Sequence, residues 1–295
     1  MHPAPSIIAF TVLSGIGLGL LAFLGLGVIV PTGFAAFLLF GLGYGLTLVG
    51  LAASAFHLGH PERALKAFSQ WRTSWLSREA VLATAALVFI APHAAALVFW
   101  GRPLVGFGII GGILALQTVL ATAMIYAQLR TVPRWNHWSG PSVFILASLT
   151  GGALLTGMSL AAQLLLAWLA LTLVVHWLLG DRLFERNGST MGSATGLGAR
   201  GTLRQLEPPH SGQNYLLREM VHVVGRKHAL TLRIITLVLA CILPSLMLWL
   251  APTSLAALAI ATLTHVAGML IGRWLFFAQA EHVVGLYYGQ HQSAA

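Results

Sequence analysis

Residues 6–30 read SIIAFTVLSGIGLGLLAFLGLGVIV, twenty-five consecutive positions without a charge. A helix crosses a hydrocarbon core about 30 Å thick with roughly 20 apolar residues, so this run is long enough to span one. No Lys or Arg precedes it, and it exceeds the short apolar core of a cleavable leader, so it is expected as a retained first helix. The same character recurs outward along the chain, at about 33–56, 80–100, 104–127, 141–159, 161–180, 232–251 and 254–278. The whole chain is 57% hydrophobic and 8% charged, with a mean hydropathy of +0.84. A soluble domain carries about 25% charged residues, so little of this length is left for one. The expected fold is an all-α integral membrane protein of eight transmembrane helices in a compact bundle.

The fifth and sixth spans are the hardest to separate, because Pro141 to Leu179 holds no charge and only the stretch from Gly157 to Gln163 offers a break. One long kinked span there would reverse the side of everything that follows. Charge favours eight. Arg63, Lys66, Arg72 and Arg78 follow the second span, Arg130 and Arg134 follow the fourth, and Arg182 to Arg233 holds eight more, whereas the opposite connections hold only Arg102. The positive-inside rule then places both termini and the three basic loops in the cytoplasm of a bacterial inner membrane. The net charge of +9 belongs to these loops, which fits topology and an acidic partner protein and leaves nucleic acid aside.

The chain reads as a single membrane domain over 1–295, with 181–231 a basic, partly flexible loop. Within it, 187–213 is rich in Gly, Ser and Thr, and Leu216, Leu217, Met220, Val221 and Val224 repeat as in a helix at the membrane surface or an extension of the seventh span. Glycine pairs at helical spacing, Gly15 with Gly19, Gly41 with Gly45, Gly108 with Gly112 and Gly268 with Gly272, suit close helix packing. Cys241, the one cysteine, lies in an apolar segment and excludes an intrachain disulfide.

The stretch His57-Leu-Gly-His-Pro-Glu-Arg63 stands where the second span leaves the membrane, and Glu79 closes the same loop. Imidazole and carboxyl groups at a membrane surface suit proton transfer to a quinone, whose reduction takes two electrons and two protons. The plain alternative is a histidine at a helix end with carboxylates paired to Arg63, Arg72 or Arg78.

This run, with His-Leu-Gly-x-Pro-x-Arg-Ala at its start and Leu-Ser-x-Glu at its end, resembles the corresponding loop of the DmsC family, the membrane anchors of dimethyl sulfoxide reductase-type enzymes. Thr131-Val-Pro-Arg-Trp135, Gly151-Gly152 and Leu270-Ile-Gly-Arg273 with Phe276 and Phe277 carry further likeness. The resemblance implies a protein that passes electrons between a four-cluster iron–sulfur subunit and membrane quinone (ubiquinone or menaquinone), while a separate catalytic subunit holds the molybdopterin cofactor. It assigns the quinone site to the positions of His57 and Glu79, with Arg63 beside them. Tyr126, Arg130 and Trp135 fall on the same side and either line that cavity or anchor span ends at the membrane surface. Arg273 is expected to pair with a carboxylate or a backbone carbonyl.

A cytoplasmic His57 loop would put the partner subunits in the cytoplasm, which is similar to the SoeC-type anchors of cytoplasmic sulfite dehydrogenase. Asn214-Tyr-Leu-x-x-Glu-Met220 and Gly225-Arg-Lys-His228 point the same way. Sulfite oxidation is therefore the expected partner reaction, with a sulfoxide reductase that oxidises quinol as the alternative. Haem b would need two axial histidines at one depth; His93 with His265 is the pair considered, and haem is not favoured. A secondary transporter is the rival from another class, but the titratable residues crowd one interface and no inverted repeat stands out.

Overall fold

The computed structural model describes residues 3–55, 61–201, 203, 206–207 and 228–287, with 61–64 and 200 as backbone alone. Among the described residues, eight helices are long and apolar enough to cross a membrane: α1 (Pro5–Gly25), α2 (Gly33–Ala55), α3 (Trp75–Trp100), α4 (Val105–Ala127), α5 (Ser139–Thr156), α6 (Ser159–Arg186), α7 (Ala229–Leu250) and α8 (Leu255–Ala278). No strand occurs among the described residues. The chain is thus an all-helical, multi-pass membrane protein.

The ambiguity at 141–179 resolves into two helices. Gly157 adopts φ 73°, a left-handed conformation that glycine reaches without steric cost, and α5 ends there. Helix α6 starts at Ser159 and continues to Arg186, six residues beyond the expected end at 180. The extension is possible because Asp181 is neutralised on the spot: its carboxylate accepts hydrogen bonds from Arg134 at 2.6 Å and from Arg233 at 2.6 and 2.8 Å. These contacts join the α4–α5 connection, α6 and the start of α7 at one end of the bundle, called here the basic face.

Helix α1 is the axis of the bundle and packs against α2, α4, α5 and α8. Its glycines permit this: a Cβ on Gly17 would meet the α2 backbone at Thr47, and one on Gly152 of α5 would meet the backbone of Gly19 at 2.5 Å. The expected packing role of Gly41 and Gly45 is corrected, since both are exposed and face open space; Gly43 and Gly50 contact α1 instead. The difference is a matter of helical phase, with the packing face of α2 turned away from the pair that the spacing singled out.

Helix α7 carries a π-helical turn at Val238–Ile242, followed by Pro244. Proline has no N–H and its ring displaces the carbonyl four residues earlier, which is that of Ala240. That carbonyl is taken up by His265 of α8, whose ring Nδ1 lies 2.7 Å away. The α7–α8 pair is thereby clasped at mid-membrane by one side chain.

Two outcomes check this packing in detergent. Gly152→Val should lower stability by about 1–3 kcal/mol through overpacking at the α1–α5 crossing, whereas Gly41→Ala should leave the thermal unfolding midpoint unchanged. His265→Leu should also lower the midpoint, since it strands the Ala240 carbonyl at a cost of about 1–3 kcal/mol.

Candidate functional site

Glu79 lies inside α3, four residues after its start, and is buried. This corrects the expectation that it closes a loop: α3 begins at Trp75, so the carboxyl is carried into the bundle. It faces α4, where the Thr122 hydroxyl is hydrogen-bonded to it. The same hydroxyl oxygen lies 3.0 Å from the carbonyl of Thr118. The hydroxyl has one hydrogen to give, so it donates either to the Glu79 carboxylate or to the Thr118 carbonyl, and serves both contacts at once only when the carboxyl is protonated and donates in its turn. Glu79 is a buried carboxyl held by one hydroxyl inside the bundle, a group able to carry a transferable proton.

One turn beyond Thr122, Tyr126 lies on the same face of α4. Its ring contacts Trp135, Phe144, Phe276 and Phe277, with centroid separations between 5.2 and 5.8 Å. Trp135 is buried and stacked on Phe276, and its indole N–H donates to the Phe276 carbonyl at 3.1 Å. It is therefore a core residue and not an anchor at the membrane surface. Arg130 is exposed.

Arg273 of α8 is 3% exposed and has neither a carboxylate nor a carbonyl partner among the described residues. The expected pairing is thus corrected: the guanidinium lies over the Phe144 ring, its carbon 3.5 Å from the centroid. A small cavity of about 20 Å³ lies beside it, lined among others by Thr11, Ser14, Thr122, Ser148 and Arg273.

At the basic face, His137, Ser139 and His176 form a hydrogen-bonded chain, with Ser139 Oγ 3.0 Å from His137 Nδ1 and 2.9 Å from His176 Nδ1. The Ser139 amide also donates to His137 Nδ1, which makes that nitrogen an acceptor. Burial and the nearby Arg186 push the His137 imidazole below its usual range, in keeping with the neutral ring.

The pair considered for haem does not share a depth. His93 Nδ1 lies 3.0 Å from the carbonyl of Leu104, the residue just before α4, so this ring sits at the rim opposite the basic face. His265 is fixed at mid-membrane, as described above. His57 lies outside the described residues, and Arg63 is described by backbone alone within the turn Pro61–Phe68. The side chains brought together are therefore Glu79, Thr122, Tyr126, Arg273 and the aromatic group around Trp135.

Over residues 1–289 the chain matches the family described as DMSO reductase anchor subunit (DmsC). The chain belongs to the DmsC family. As a DmsC-family anchor it is the membrane component of a molybdoenzyme complex and partners with catalytic and iron–sulfur subunits. It is 32% identical to a subunit of the sulfite dehydrogenase of Allochromatium vinosum, over 98% of this chain and 99% of that protein. No solved structure matches this DmsC-family chain.

Thr122 escaped the sequence reading, although Thr118, Thr122 and Tyr126 recur every fourth residue and so share one face of α4. Its contribution is measurable. Thr122→Val should leave the buried Glu79 carboxyl without a partner and cost about 1–3 kcal/mol, seen as a lower unfolding midpoint of the detergent-purified chain, whereas Thr122→Ser should keep the hydroxyl and most of the stability.

Proposed function

We propose that this DmsC-family anchor is the quinone-reactive component of its complex and that it delivers electrons from sulfite oxidation to the membrane quinone pool. The observation that carries this reading is the buried, hydrogen-bonded Glu79 acid, near the end of the bundle where the three basic connections meet. Quinone is the substrate of this anchor. Its reduction consumes two electrons, supplied by the iron–sulfur partner, and two protons, of which Glu79 donates one. His57, immediately after α2 in the chain, is the second proton-handling group, and Arg63 and Tyr126 orient the headgroup. Trp135 supports the site from beneath, by holding Phe276 in place against Tyr126.

The excess of Lys and Arg on the basic face supports a cytoplasmic orientation in a bacterial inner membrane, with both termini on that side. The same positive surface suits an acidic face of the iron–sulfur subunit, and docking there would keep the electron-transfer gap to the Glu79 site short. The stretch 181–231, its two ends taken up by α6 to Arg186 and by α7 from Ala229, holds the basic loop of a single membrane domain in this reading. The sulfite reading draws on the likeness to the Allochromatium vinosum sulfite dehydrogenase protein.

The test is sulfite-dependent quinone reduction by the complex purified with its natural partners. Glu79→Gln and His57→Ala should each leave the complex assembled and lower turnover by about 100-fold, the lower end of what a positioned acid or base contributes. Turnover that stays at the native level in both variants would overturn the assignment of the site.

A further inference from the structure

A proton donor buried in a membrane has to become an anion each time it gives its proton away. A carboxylate in an apolar medium is costly unless an opposite charge stands near it. Among the described residues, the groups around Glu79 are few. Helix α4 brings Thr122, with Tyr126 one turn beyond it on the same face, while Tyr44 of α2 is spent on the Leu87 carbonyl, 2.7 Å away and two turns further along α3. Helices α1 and α5 bring only the hydroxyls of Thr11, Ser14 and Ser148 to the adjoining cavity. On α3 itself, Arg78 turns outward and donates to the carbonyls of Trp71 and Arg72. The one formal positive charge turned toward this interior, among the described residues, is Arg273 of α8.

Three observations tie Arg273 to Glu79. Among the described residues no carboxylate pairs with its guanidinium, and its Nε is buried without a hydrogen-bond partner. Thr122, which holds the Glu79 carboxyl, lines the same small cavity as Arg273. Tyr126, one turn beyond Thr122 on α4, contacts Phe144 and Phe276, the two rings over which the Arg273 guanidinium lies. The cavity, of about 20 Å³, exceeds the roughly 10–15 Å³ that one water needs. Its lining suits one. Thr11, Ser14 and Ser148 donate their hydroxyl hydrogens to the carbonyls of Ile7, Phe10 and Gly15, which leaves oxygen lone pairs to accept from a water, while the Arg273 Nε–H is left to donate to it.

We propose that Arg273 is the latent counter-charge of Glu79, coupled to it through Thr122 and one buried water, and that it stabilises the carboxylate left behind when Glu79 passes its proton to the quinone. In the resting protein Glu79 is the neutral acid and Arg273 rests on Phe144. When two electrons arrive from the iron–sulfur partner, a headgroup oxygen takes the Glu79 proton, the carboxylate forms within the field of the guanidinium, and the aqueous face restores the proton. Arg273 acts through Glu79 and is in this sense a positioning residue. The inference rests on the reading of Glu79 as proton donor.

The experiment is infrared spectroscopy of the intact complex, with the carbonyl band of the Glu79 acid identified by its disappearance in Glu79→Gln. At a pH where the native band has half faded, Arg273→Gln and Arg273→Met should both retain most of it, and their quinone turnover should fall by roughly tenfold with KM for quinone unchanged. Arg273→Lys should return band and turnover toward native values. Native behaviour of the Gln and Met variants would overturn the proposal, and so would recovery by Met but not Lys, which would assign Arg273 to packing over Phe144. If Glu79→Gln leaves quinone reduction intact, the functional reading fails separately, and the band comparison still decides whether the two charges are coupled.

Discussion

Hydrocarbon offers no hydrogen bonds, so every polar group that α1–α8 carry into the bilayer has to be met from within the chain. Most of the structure follows from how that is done. Helical hydroxyls return to carbonyls one turn back, as Thr47 does to Gly43 at 2.8 Å and Thr150 to Leu146 at 2.7 Å. Ser148 instead crosses to the carbonyl of Gly15 on α1 at 2.5 Å, and so ties α5 to the central helix. Pro244 creates a need at Ala240 that His265 meets across the α7–α8 interface. Asp181 joins an arginine of the α4–α5 connection to one of α7, and this lets α6 run on past its apolar segment. Each of these devices settles a local deficit and fixes the relation of two helices at once.

The same rule gives Glu79 and Arg273 their significance. A carboxyl and a guanidinium inside the bundle are costly, and neither is employed in a direct ion pair among the described residues. Glu79 offsets part of the cost through its hydrogen bond with Thr122, and Arg273 offsets part of its own by lying over Phe144, a contact worth about 2 kcal/mol when desolvated. Groups kept in the interior on such terms are suited to exchange protons and charge when an electron acceptor arrives. Their position near the basic face is where an electron-donating partner is expected to dock.

Much of the fold was legible in the sequence because a span is a property of composition: a run such as 6–30 has no other stable solution. Gly157 was visible as a candidate break, and its left-handed conformation is what glycine supplies. What composition does not encode is azimuth. Gly41 and Gly45 satisfied the spacing for close packing, yet the helix turns Gly43 and Gly50 to α1. The site was legible in part for a similar reason. A short motif drew attention to Glu79, but its depth depends on where α3 begins, and its partner Thr122 stands 43 positions away on another helix. The pairing of Asp181 with Arg134 and Arg233, across 47 and 52 positions, was hidden in the same way. Arg273 was conspicuous as an intramembrane charge, but that no ion pair holds it among the described residues emerges only from the packed arrangement.

Whether quinone reacts beside Glu79 at the basic face is decided by an experimental structure of the complex with its partner subunits and a bound quinone. A headgroup oxygen is expected within hydrogen-bonding reach of the Glu79 carboxyl, directly or through one water, with the iron–sulfur subunit seated over the same face. A headgroup bound at the opposite rim, near His93 and Leu104, or an iron–sulfur subunit docked on that side, would contradict it.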